Sequence, residues 1–337
     1  MLKKNSFIIP LAWPDSLVNS SYESMDPFWK FLRISREGLY KVGHAAMLLV
    51  NGDTGEVRYF DFGRYIAPDG YGRIRGYETD PELKFGVKAI CDGFELKNFN
   101  EILHYVDSNK HTHGEGDLYA GIYPGVNYDD ALAIIHEMQS VVLQEYGPFV
   151  YKGTNCSRFV AQTIAKLGDY KTQIKFLLPW YLTPSPLGNI YNCPSRKMYV
   201  VRDSKVHVFN VDKFKKRFDI LREKIFFQKN DPILDTIDLN YRTKFKAVKR
   251  PTNVSVKAQW LGGTGAGAWH EVVEVVEQKI VFKRVQSTGF VDFETTFFHC
   301  NLEVGQFDLN QDYQIDYGTT YRKVFITQNE VQFHFTK

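Results

Sequence analysis

The chain has 337 residues, 44% hydrophobic and 24% charged, with a formal net charge of +3. This length holds about two domains, and the composition is that of a folded globular protein rather than a disordered one. A charge so near balance, with no Lys/Arg block, argues against a nucleic-acid partner. The aromatic content, 15% with 26 Phe and 20 Tyr, favours β structure.

In chain order, residues 6–13 read as a first strand and residues 20–32 as a weak helical or loop segment. A hairpin follows. Gly43 to Val50 is an apolar strand carrying His44, Asn51 to Glu56 is a turn rich in residues that tolerate positive φ, and Val57 to Tyr65 returns. If Val50 faces Val57, Ala46 faces Asp61, and Asp61 lies diagonal to His44 on the same face of the ribbon. A slip of one residue brings Phe60 or Phe62 there instead. Residues 66–77 read as a Gly-rich loop, and residues 83–90 and 97–106 as two strands or a strand and a short helix. His111-Thr112-His113-Gly114-Glu115-Gly116-Asp117 is a polar loop; its spacing resembles a ligand set, but a solvated loop is the better reading and no metal is expected. Tyr119 to Tyr123 reads as a strand. Asp129 and Asp130 cap a helix expected from Ala131 to about Tyr146, closed by Gly147, with His136 off its apolar stripe.

Thr154-Asn155-Cys156-Ser157-Arg158-Phe159-Val160 opens an amphipathic helix. Phe159, Val160, Thr163, Ile164 and Leu167 recur at helical spacing, Cys156 shares their stripe, Thr154 or Asn155 caps the start, and Gly168 ends it. Residues 171–197, with Pro179 to Pro186, read as a packed loop that closes a first domain, 1–197. From residue 198 the texture is that of a β-rich second domain, 198–337. Strands are expected at 198–201, 205–209, 254–258, 279–282 and 332–335, with a helix or long loop around 212–228. The run Leu261 to Trp269, with its glycines, lacks the Gly-Lys-Ser/Thr ending of a phosphate loop and the dinucleotide spacing; it reads as a tight turn packed on Trp260 and Trp269, and no cofactor is expected.

None of the four cysteines, Cys91, Cys156, Cys193 and Cys300, forms a C-x-x-C pair. A zinc site and a disulfide framework are therefore not expected. No run approaches the roughly 18 apolar residues of a membrane span. The N-terminal apolar run stops at Pro10, and Trp13-Pro14-Asp15 follows without a small-residue cleavage site, so a cytoplasmic location is expected, or an exported one if a leader was removed.

The chemistry centres on Cys156. At a helix start, free backbone N–H groups and the positive end of the helix dipole favour a thiolate. A nucleophilic thiol needs a base, and the base needs an orienting group; His44 and Asp61 supply these on the hairpin. A lone His on an apolar strand is usually a satisfied core residue, and a free Cys is often inert; it is the combination that points to catalysis.

The sequence Asn155-Cys156-Ser157-Arg158-Phe159-Val160, preceded far upstream by Gly43-His44 on a strand, resembles the circularly permuted members of the NlpC/P60 papain-like superfamily. These include the lecithin retinol acyltransferase-like proteins and related bacterial hydrolases. The resemblance spans about residues 30–190. It implies an α+β fold with an antiparallel sheet and a catalytic helix, Cys156 as nucleophile, His44 as base, and Asp61 as the third residue. The acyltransferase branch usually has Glu-His after the Cys and a second His on the next strand, where this chain has Ser157-Arg158 and Asp61. The expected activity is a thiol hydrolase acting through an acyl-enzyme on a peptide, such as a cell-wall peptide. The alternatives are a lipid or thioester acyl hydrolase or acyltransferase, and a binding protein that keeps the shell without turnover. Oligomeric state is left open by the sequence.

Overall fold

The computed structural model describes residues 5–19, 35–36, 39–40, 42–112, 114–147, 153–168, 171–172, 185–211, 248–300 and 305–337. The expectations for 20–32, 179–184 and 212–228 lie outside the described residues. The chain is mixed α/β, rich in sheet with few helices, and divides into two compact units built from interleaved segments. The first comprises residues 1–62, 83–141 and 147–238; the second comprises 63–82, 142–146 and 239–337.

The first unit is organised on the strand Ser6–Trp13, all eight residues of which are buried. It pairs antiparallel with His44–Val50 on one side and with Leu118–Ala120 and Tyr123–Val126 on the other. The sheet continues from His44–Val50 to Val57–Gly63, and from Leu118–Ala120 to Lys197–Arg202 and Lys205–Asn210. A strand buried on both faces reads as a continuous apolar run. Phe7, Ile9, Leu11 and Trp13 share a core with Ala46, Leu48, Val57 and Tyr59, roofed by Ile102, Leu103 and Val106. Residues 99–108 are thus a helix, the second of the two readings offered by their sequence, with its apolar residues at i, i+3, i+4 and i+7. Residues 83–90 form no strand; Pro81 starts a single 3-10 turn to Leu83, and an irregular run follows, held by Ala89 N–H to Gly55 O at 2.8 Å.

Two helix boundaries differ from expectation for reasons of capping. The helix expected from Ala131 spans Tyr128–Ser140, because the Asn127 side chain accepts from the Asp130 N–H. It stops before the β-branched pair Val141-Val142, and Gln144–Glu145 is a strand instead. Within 171–197, Ser185 caps a short helix Pro186–Tyr191, with Pro at its first position.

The second unit is a seven-stranded antiparallel sheet in the order Gln259–Leu261, Ala268–Val276, Lys279–Gln286, Val291–His299, Val331–Thr336, Lys323–Gln328, Gln314–Ile315. The strand expected at 254–258 is a turn region, and pairing begins at Gln259. The core of this sheet mixes Phe282, Phe293, Phe297, Phe333 and Phe335 with aliphatic residues such as Ile280, Val324 and Ile326. The glycine run is a tight turn as read: Trp260 faces Trp269 across it, ring centroids 5.5 Å apart. A Cβ on Gly267 would lie 2.4 Å from the Trp260 ring, and one on Gly263 2.7 Å from Arg64 O, so these two glycines admit close neighbours. Ile66 donates to Ala266 O at 2.8 Å, and Gly265 to Arg64 O at 2.8 Å.

Residues 71–76, expected as loop, form a strand with Arg73 and Arg75 buried. Charged residues in a Gly-rich run look solvated, but here a partner stabilises them inside. Asp80 binds Arg73 through both carboxylate oxygens at 2.6 and 2.7 Å. Arg284 then joins Asp80, Glu82 and Asp292 at 3.1, 2.7 and 2.8 Å. Burial pushes Glu82 up to about 7 despite the Arg284 charge; Asp80, also disfavoured by burial, is held below the usual carboxylate range by Arg73 and Arg284.

Candidate active site

His44 opens its strand at the end of the ladder, with Trp13 opposite. Gly43 precedes it at φ +72°, where a Cβ would lie 2.8 Å from Trp13 O, so glycine is required to bring the chain in. The pairing runs Val50 to Val57 through Ala46 to Asp61, the register expected from the turn. His44 Nε2 lies 3.4 Å from Asp61 Oδ2, with Asp61 fully buried. The Trp13 indole stacks on the imidazole, centroids 5.8 Å apart and planes 22° from parallel.

The second element is the helix Cys156–Leu167, which lies against the histidine strand. Asn155, rather than Thr154, is the cap: its side chain accepts from the Arg158 N–H at 2.9 Å. Phe159, Val160, Thr163 and Ile164 are buried, which turns Cys156 inward with them. The helix ends at Gly168 as expected, but with Gly168 at φ −91°, so no left-handed cap is used. Arg158 donates to Gly153 O at 2.7 Å, and Asn189 Nδ2 to Ser157 O at 2.9 Å, which pins the first turn from both sides.

His44 and Cys156 meet at this junction. Burial alone would lower the His44 pKa, but its polar contacts with Asp61 and Cys156 and their negative charges outweigh burial and raise it to about 9. Burial likewise opposes a thiolate at Cys156. The hydrogen bond and charge of His44, with the N–H groups of Ala45 and Ser157, overcome it and hold the thiol below its ordinary value. The two shifts favour a thiolate–imidazolium pair near neutral pH. The three residues singled out from the sequence are thus brought together by one hairpin and one helix start.

The polar loop after residue 110 supports this arrangement, a role its sequence did not signal. Tyr59 Oη donates to Asp61 Oδ2 at 3.0 Å and lies 3.3 Å from Thr112 O. Gly114 sits so close to Trp13 that a Cβ there would be 2.2 Å from the indole, and Glu115 N–H donates to Ser16 Oγ at 2.9 Å. His113 lies outside the described residues. Among the described residues, no group of three His, Cys, Asp or Glu side chains is placed to hold a metal ion, and no helix is long and apolar enough to cross a membrane.

Residues 8–172, a stretch that includes His44, Asp61 and Cys156, match the family described as type VI secretion system effector TseH-like. Residues 258–337 match the DUF6695 C-terminal domain family. The crystal structure of the type VI secretion system effector TseH aligns at 19% identity and a TM-score of 0.39, over 61% of this chain and 98% of TseH, a level too low to define a shared fold. A search of curated proteins finds no match.

Proposed function

We propose that residues 1–197 form a permuted papain-like cysteine hydrolase domain that cleaves an amide in a peptide, with cell-wall peptides as the first substrates to test. The observation that carries this reading is the buried meeting of Cys156, at a helix start, with His44, itself 3.4 Å from Asp61. The match of residues 8–172 to TseH-like effectors supports it. In the same reading the protein is an effector, acting outside the cell that makes it rather than in that cell's cytoplasm.

In the reaction, the Cys156 thiolate adds to the amide carbonyl carbon, and the N–H groups of the helix start stabilise the oxyanion. The His44 imidazolium gives its proton to the departing nitrogen as the C–N bond breaks, leaving a thioester on Cys156. Neutral His44 then takes a proton from water as the water adds to the thioester carbonyl. Breaking the C–S bond releases the acid and restores the Cys156 thiolate beside the His44 imidazolium. Asp61 holds the imidazole in place and stabilises its charged form throughout.

The test is the rate of Cys156 alkylation by iodoacetamide across pH 4–9, in the parent and in His44→Ala. An ordinary thiol titrates at roughly 8.5. The expected result is fast alkylation well below that pH in the parent, lost in His44→Ala, together with thioester capture from a peptide substrate. Ordinary titration in both proteins would overturn the hydrolase reading in favour of a binding shell. Capture of acyl esters but not peptides would move the substrate class to lipid or thioester acyl groups.

A further inference from the structure

We propose that Tyr59 is a positioning residue of this site, holding Asp61 at the imidazole; the inference rests on the Cys156–His44–Asp61 reading. Tyr59 is buried on the strand that carries Asp61, two residues away and therefore on the same face. Its hydroxyl donates to Asp61 Oδ2 at 3.0 Å, and Thr112 O lies 3.3 Å away as a second, weaker acceptor. The oxygen it binds is the one that faces His44 Nε2 at 3.4 Å.

A carboxylate can rotate about its terminal bond, and inside a protein an ionised one needs donors to stay charged. Asp61 is fully buried, out of contact with bulk solvent. The Tyr59 hydroxyl supplies one donor and fixes which oxygen meets the ring. It is fixed in turn because its ring lies in the core with Leu48 and Ile102. The ionisable groups around this relay are His44 from the neighbouring strand, Cys156 from the helix start, and Lys110 and His111 on the turn that carries Thr112. A bare core tyrosine also finds a partner for its hydroxyl. What distinguishes positioning is that its loss is felt at Cys156 and only through Asp61.

The experiment compares alkylation profiles of the parent, Tyr59→Phe, Asp61→Asn and the double variant, in the full chain. Phenylalanine keeps the ring that fills the core. The expected result is a roughly 3- to 10-fold slower reaction at pH 6 in Tyr59→Phe, with the rate above pH 9.5 unchanged, and no further loss when it is added to Asp61→Asn. An unchanged profile at pH 6, or an equal loss in the Asp61→Asn background, overturns the proposal. In the parent itself, the Tyr59 ring Cζ resonance should step at the pH where the thiol titrates; a flat resonance overturns the proposal even if Tyr59→Phe does not fold. If the parent thiol titrates as an ordinary cysteine, it is the hydrolase reading that has failed.

Discussion

Asp61→Asn keeps the shape of the site and removes its charge. His44 is raised from 6.5 to about 9, which is roughly 3 kcal/mol of preference for the imidazolium. Asp61 and Cys156 supply this against burial, and the polar contact with Asp61 is the largest of the favourable causes. A hydrogen bond to a charged group is worth about 1.5–3 kcal/mol, so losing it should take away about 2 kcal/mol. Burial then drives His44 toward its neutral form, and the thiolate–imidazolium pair gives way to neutral thiol and imidazole. The predicted outcome is alkylation about 10- to 100-fold slower at pH 6–7, with the loss shrinking above pH 9, where the thiol ionises with less need of the imidazolium. Global stability is a weaker assay. The raised His44 contributes stability that is complete below 6.5 and lost as pH rises through about 9. The depressed thiol contributes stability that is complete above its ordinary pKa and lost as pH falls through its folded one, so the two oppose each other over this window. A rate at pH 6–7 within twofold of the parent would refute the reasoning, since Asp61 would then contribute nothing to the charge on His44.

Three further outcomes are expected. Arg284→Met leaves Glu82 and Asp292 buried without their cation and should cost about 3–5 kcal/mol in urea unfolding at pH 7. The loss should shrink toward pH 5, because Glu82, already raised to about 7, protonates. Gly114→Ala drives a methyl group into the Trp13 indole and should cost about 1–3 kcal/mol; because Trp13 stacks on His44, alkylation at pH 6 should slow as well. Glu330 sits at φ +65° in the two-residue turn between Lys323–Gln328 and Val331–Thr336. Glu330→Gly relieves that conformation and should raise stability by about 0.5–1 kcal/mol, read as a higher melting temperature.

The sequence by itself determined what depends on near neighbours. The Asn-Gly-Asp-Thr-Gly turn set the hairpin register and so put Asp61 diagonal to His44, because a two-residue side-chain period leaves one pairing that buries both faces. The apolar stripe after Asn155 fixed where the cysteine helix starts and which side of it is buried. Tertiary structure decided what depends on distant partners. Arg73 looked like a loop residue because the buried Asp80 carboxylate that pairs with it, and that also pairs with Arg284 from more than two hundred residues away, is revealed only by folding. The 111–117 stretch read as a solvated polar loop, and Glu115 and Gly116 are exposed; its backbone also approaches Tyr59 and Trp13, which the sequence did not signal, since a glycine or a carbonyl carries no sign of what it touches. The acidity of Cys156 has the same origin: the helix start is local, but the imidazolium that stabilises the thiolate reaches it from a strand more than a hundred residues earlier in the chain.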